Sequence, residues 1–161
     1  MFCNLFKRNE EQKSFAKEWN EKYPFLRVKH NDVCPWHTSE DCWLEDIPIG
    51  WVNAFGKQMC DELMEVLGKY SNEFVIAQMK EKFGDLRIYW YFKDKDSYAP
   101  SEVNEISELN AKIHDIVEKY NKISACTCAE CGAIANYSST RWILPYCEEH
   151  APQDSIKIRS K

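Results

Sequence analysis

The sequence predicts an α+β fold: a small antiparallel sheet, centred on a hairpin at about residues 73–93, packed on two or three helices and followed by a C-terminal zinc-binding module. Three observations carry this. Two segments, GWVNAFGKQMCDELMEVLGKY and the stretch from Ser101, place apolar residues at helical spacing. Between them lie two short runs rich in β-branched and aromatic residues, separated by Phe83-Gly84. After them come Cys128 and Cys131 as C-x2-C, then Cys147 and His150 as C-x2-H.

The elements follow in order. SFAKEWNEKY, residues 14–23, reads as a first helix, with Ser14 as N-cap, Pro24 closing it, and Phe15 and Trp19 sharing a face. HNDVCPWHTSEDCWLEDIPIG has two prolines and little periodicity, so it reads as a structured loop. In the second helix Trp51, Phe55, Met59, Leu63, Val66 and Tyr70 follow helical spacing. Gly56 weakens it locally and Gly68 marks its end. Strands are expected at 73–82 and 85–93. The last helix is expected at 101–122, started by Pro100 and Ser101, with Glu102 and Glu105 at its positive end. Its apolar stripe is Val103, Ile106, Leu109, Ile113, Ile116, Val117 and Tyr120. The chain thus divides into an α+β domain at 1–124, a zinc-binding module at 125–150 and a polar tail at 151–161.

Composition bounds the function. The 161 residues carry 21 Lys+Arg against 26 Asp+Glu, a net charge of −5, which argues against non-specific nucleic-acid binding but allows a small anion in a local basic patch. No apolar run reaches the length of about 18 residues that a membrane span needs. The opening residues carry no apolar stretch of secretory length, so the expected compartment is the cytoplasm. Thiols stay reduced there, and clustered cysteines then read as metal ligands rather than disulfides.

Cys128, Cys131, Cys147 and His150 offer four soft ligands from two short turns, a set that suits tetrahedral zinc in a closed, structural role. Gly132 would let backbone amides turn towards the sulfurs. Cys126 is an extra thiol that could replace Cys128, which has the better spacing. His30, Cys34, His37 and Cys42 form a second group of suitable types with unfamiliar gaps.

The stretch QMKEKFGDLRIYWYF gathers cations and rings around one glycine. Antiparallel pairing about Phe83-Gly84 sets Lys82 opposite Asp85, Lys80 opposite Arg87, Gln78 opposite Tyr89 and Ile76 opposite Tyr91 on one side. The other side pairs Glu81 with Leu86, Met79 with Ile88, Ala77 with Trp90 and Val75 with Phe92. One face is then apolar. The other could hold a phosphate with Lys and Arg and a ring by stacking. Lys80 opposite Arg87 is a like-charge pair, which an anion would relieve.

IGWVNAFGKQMCDEL, VIAQMKEKFGDLRIYW, ISACTCAECG and RWILPYCEEHA together resemble a family of small phage and prophage proteins of unassigned function. Those proteins carry a Gly-Trp before a helix, a K-E-K-F-G-x-L-R-x-Y stretch and a C-terminal C-x2-C-G…C-x2-[CH] metal module. The resemblance covers residues 49–151. It points to Gly50, Trp51, Lys80, Lys82, Phe83, Gly84, Leu86 and Arg87, with Cys128, Cys131, Cys147 and His150 as ligands. Asp85 stands where a glycine is usual, and the 30–42 loop has no counterpart. The resemblance implies a phage setting and no particular activity.

The candidate ligand-binding set is Lys80, Lys82, Arg87, Tyr89, Tyr91, Gln78 and Trp51, and no catalytic residue is assigned. The expected function is capture of a small anionic, nucleotide-like ligand in a host cytoplasm, in a form that would counter host defence signalling. The alternative is an adaptor binding a host protein through Trp36, Trp43, Trp142 and Tyr146. A zinc-containing hydrolase or nuclease would have to draw on Asp32, His37 and Asp41, or on Glu148 and Glu149. A lone hairpin is marginal, so a further strand from 24–49, or from a second subunit of a homo-oligomer, would complete the sheet.

Overall fold

The computed structural model describes residues 10–29, 40–93 and 98–158. Helix α1 spans Glu10–Lys22. It starts four residues before the expected Ser14 cap, because the residues ahead of Ser14 are good helix formers and Ser14 is carried inside the helix. The segment after it contains a short 3-10 turn at Pro24–Leu26, an isolated antiparallel bridge between Arg27 and Cys42, and a second 3-10 turn at Trp43–Asp46.

The second long helix is three pieces run together: α2 at Ile49–Trp51, a π-helical turn at Val52–Gly56, and α3 at Lys57–Leu67. Trp51, Phe55, Met59 and Leu63 are all four apart and all buried. An ideal helix would rotate such a series by about 40° per step. The wider π turn, ending at Gly56, takes up that drift and keeps the series pointing inward. Helix α4 spans Pro100–Ser124. It buries Ile106, Leu109, Ile113, Val117 and Tyr120, whereas Val103 in its first turn is exposed. Tyr120 and Lys119 both donate to the Glu62 carboxylate, which ties α4 to α3.

Strands β1 (Phe74–Lys82) and β2 (Asp85–Phe92) pair antiparallel. From the turn inward the pairing is as expected: Lys82 with Asp85, Glu81 with Leu86, Lys80 with Arg87, Met79 with Ile88 and Gln78 with Tyr89. Ala77 is then skipped by a bulge, and Ile76 meets Trp90, Val75 meets Tyr91, and Phe74 meets Phe92. This corrects the expected pairs of Ile76 with Tyr91, Ala77 with Trp90 and Val75 with Phe92. The bulge turns the larger Phe74 and Ile76 into the main core cluster, leaves Val75 buried on the opposite side, and leaves Ala77, the smallest residue, unpaired. Phe74 and Phe92 gain a ring contact at 5.5 Å between centroids. Each such buried side chain contributes about 1.5–3 kcal/mol.

The core is one cluster that joins α1, the 24–28 and 42–47 segments, α3, one face of the hairpin and α4. Trp43, expected at the surface, is buried, and its indole N–H donates to the Ile76 carbonyl at 3.0 Å. A second, three-stranded sheet has the order β4-β3-β5, from Tyr137–Ser138, Pro145–Tyr146 and Ile156–Lys157. Residues expected as tail therefore supply an edge strand.

The hairpin turn has two residues with positive φ, Phe83 at 56° and Gly84 at 83°. That is a type I′ turn, which favours Asn-Gly. Phe83 adopts the left-handed conformation with its ring 70% exposed, so no burial offsets the backbone cost. We expect Phe83→Asn to raise unfolding free energy by about 1 kcal/mol in urea denaturation. An unchanged or lower value would mean that the ring makes a stabilising contact.

Candidate functional site

The metal-ligating residues stand on two turns stitched to each other. After α4 the chain passes through Cys126 and a bridge between Thr127 and Ile134. The first turn closes with the Gly132 amide on the Cys128 carbonyl at 3.0 Å and the Cys128 amide on the Ala133 carbonyl at 2.7 Å. Gly132 has φ 80°, the conformation that lets this turn close under the sulfurs. Strand β4 carries the chain into the second turn, where the His150 amide meets the Cys147 carbonyl at 3.3 Å. The Ala129 amide donates to the Pro145 carbonyl at 2.9 Å and joins the two turns.

The ligand atoms of Cys128, Cys131, Cys147 and His150 all lie within 4.8 Å of one another. The Cys131 and Cys147 sulfurs are 3.7 Å apart, and His150 Nδ1 is 3.1 Å from Cys147 Sγ and 3.9 Å from Cys128 Sγ. This is a candidate metal-binding centre, with Cys128 buried and Cys131 at the surface. Cys126, the alternative ligand, is exposed and outside the cluster. The His150 side chain, hydrogen-bonded to the Cys147 sulfur, pulls that thiol down to about 6, and Cys147 in turn raises His150. The shift favours the thiolate of Cys147, the form in which a cysteine binds a metal.

The centre is seated on the helical domain. The Gly50 amide donates to the Ala129 carbonyl at 2.9 Å, and the Trp51 indole donates to the Thr127 carbonyl at 2.9 Å. A Cβ on Gly50 would lie 2.2 Å from the Cys128 carbonyl oxygen, and one on Gly132 would lie 2.6 Å from the Gly50 carbonyl oxygen. The hairpin tip touches the same module. Glu81 accepts the Gly84 amide at 2.8 Å and the Trp142 indole N–H at 3.1 Å, and Gly84 packs against Ile143 and Pro145. At the tip's base Ser124 Oγ accepts the Leu86 amide at 2.8 Å, and Asn121 donates to the Leu86 carbonyl at 2.9 Å.

The residues expected to bind a ligand separate into two groups. Lys80, Lys82, Arg87, Gln78, Tyr89 and Tyr91 share one side of the hairpin, by their pairing and by alternation. Lys80 donates to Gln78 Oε1 at 2.6 Å and stands 5.7 Å from the Tyr89 ring centre. Arg87 forms an ion pair with Asp85 at 3.1 Å. Trp51 does not join them: it is fully buried and serves the metal module's seat. Of the second Cys/His group, Cys42 is buried in the core, while His30, Cys34 and His37, like Asp32 and Trp36, lie outside the described residues. Asp41 is buried, and Glu148 and Glu149 are exposed beside the ligands. Glu81, Ser124 and Asn121 escaped the sequence reading. Their signal is faint, since polar residues that bond to distant backbone have no periodicity.

Two expectations follow. In metal-free protein shown by circular dichroism to keep its fold, alkylation of Cys147 should become half-maximal near pH 6 rather than 9.0, since the thiolate forms as pH rises through its folded value. Mass-spectrometric mapping of the alkylated peptide checks this. Gly50→Ala should cost about 3 kcal/mol in urea denaturation, whereas Gly56→Ala, whose new methyl meets nothing nearer than 3.5 Å, should be tolerated. In comparisons with known proteins, no family model, no curated protein and no solved structure matches this chain.

Proposed function

We propose that the protein is a zinc-stapled binding protein that captures a small anionic, nucleotide-like ligand on the outer face of its hairpin. The metal reading is supported by geometry. A tetrahedral ion with Zn–S near 2.3 Å and Zn–N near 2.0 Å would set sulfurs about 3.8 Å apart and sulfur from nitrogen about 3.5 Å. The Cys131–Cys147 sulfur separation of 3.7 Å is close to the first edge, and the sulfur–nitrogen separations of 3.1 and 3.9 Å lie either side of the second. Three thiolates and one imidazole complete four-coordination, so the ion supplies folding energy to a module of short strands. The module it would staple contacts both the hairpin tip and α2.

The observation that carries the ligand reading is the Lys80–Arg87 cross-strand pair. Lys80 and Arg87 are cross-strand partners with Lys82 beside them, and Asp85 is held by Arg87. Among the described residues neither Lys80 nor Lys82 has an ion-pair partner. An anion placed between them would meet charge-assisted hydrogen bonds, with Tyr89 and Tyr91 alongside to stack on a ring. The resemblance to phage proteins suggests where such capture would act: in a host cytoplasm, on a signalling nucleotide of a defence pathway. A second reading has its own support. Phe83, Trp142 and Ile143 are 70%, 59% and 44% exposed around the contact of hairpin tip and metal module. Such a cluster suits a host-protein interface, with Trp142 as its anchor.

Native mass spectrometry should give one zinc per chain, and a chelator should lower the melting temperature. A thermal-shift screen with mono- and cyclic nucleotides should give concentration-dependent stabilisation, reduced at least tenfold in apparent affinity by Lys80→Ala or Arg87→Ala. Stabilisation unaffected by either substitution would overturn the face. Trp142-dependent capture of a host protein, with no nucleotide response, would favour the interface reading.

A further inference from the structure

The hairpin's open end, opposite the metal module, holds a cavity of about 130 Å³. Arg27, Lys29 and Lys93 line it, with Ser71 and Asn72 on the turn before β1 and Val75 on its wall. The cations reach it from two directions. Arg27 sits in the bridge to Cys42, and Lys29 follows two residues later, on the same side of the extended segment. Lys93 continues the β2 ladder through its amide on the Glu73 carbonyl at 2.9 Å, and its ammonium donates to the Asn72 carbonyl. By alternation it shares the face of Arg87, Tyr89 and Tyr91.

We infer that this cavity is an anion seat for a phosphoryl group. The inference rests on the reading of the outer face as an anion-binding surface, and gives that surface a concave anchor. A chain of net charge −5 has no general excess of cations to scatter, yet three converge here. Among the described residues no carboxylate forms an ion pair with any of them. Burial, and then the charge of Lys93, lower the pKa of Lys29, so the unliganded cluster is under electrostatic tension. A tetrahedral dianion would relieve that tension and accept the Ser71 hydroxyl as a further donor. The volume is several times the roughly 10–15 Å³ that a cavity needs to hold one water, room for such an ion with part of its hydration. Tyr91 lies two residues along the strand from Lys93, roughly 7 Å away. A ring attached to the seated phosphate would meet that phenol first.

The test is a titration of the full chain with inorganic phosphate against chloride at fixed ionic strength, followed by ¹H–¹⁵N spectra and melting temperature. Saturable shifts at the Ser71, Asn72 and Lys93 amides are expected, with affinity reduced at least tenfold by Lys29→Met and by Arg27→Met. Lys29→Met should also raise unliganded stability, because it removes a like charge, so loss of binding will not reflect misfolding. A phosphate response equal to chloride's, or an undiminished response in both variants, would overturn the seat. Lys80→Ala with Arg87→Ala should leave phosphate binding intact while weakening a nucleoside monophosphate. Phosphate binding abolished only by the latter pair would remove the seat and leave the face. Nucleotide binding lost only in the Lys29 and Arg27 variants would remove the face and leave the seat.

Discussion

The close approach of Gly50 and Gly132 is the constraint on which the rest of the structure depends. Two backbones meet where neither can carry a side chain, since any Cβ would lie inside 3 Å of a neighbouring backbone atom. That contact sets the first chelating turn on the start of the helix that supplies Trp51, Phe55, Met59 and Leu63 to the core. Hydrogen bonds from Gly50 and Trp51 to the Ala129 and Thr127 carbonyls give it direction. The metal centre is therefore not an appendage on a linker. Its four Cys/His residues and the core share one boundary, so the energy of a metal bound there would act on both.

The hairpin runs away from that boundary. Its tip is held by Glu81, which serves the turn with one oxygen and the module with the other, while its inner face is held by Ser124, Asn121 and Asn110. These are hydrogen bonds to specific backbone or indole groups, and they leave the outer face unencumbered. Lys80 and Arg87 are set opposite each other by register, and each is steadied by a neighbour on its own strand, Gln78 for Lys80 and Asp85 for Arg87. Side chains already held in place by the ribbon lose less entropy in any further contact.

Much of this was legible in the chain. The Cys128, Cys131, Cys147 and His150 cluster could be read from spacing alone, because two short turns impose fixed gaps on residue types that are otherwise scattered. The helices α3 and α4 could be read from their stripes. The hairpin register could be read as far as Gln78, where alternation of cations and apolar residues is strict. Beyond it, Phe74, Val75, Ile76 and Ala77 are all apolar, so alternation carries no information and only packing volume decides which pair turns inward. Trp51 was misassigned for a related reason. An aromatic beside a motif looks like a ligand contact until the fold shows that its N–H has a backbone partner 76 residues away. The cavity at Arg27, Lys29 and Lys93 was invisible, because its cations come from separate segments.

That same indole bond has a consequence for the order of events during synthesis. Helix α2 is made early, but the carbonyl that receives its tryptophan emerges 76 residues later. Contacts so distant along the chain close late and slowly. The buried Trp51 indole can therefore find its partner only after the chain has been made as far as Thr127, so this part of the core is completed late.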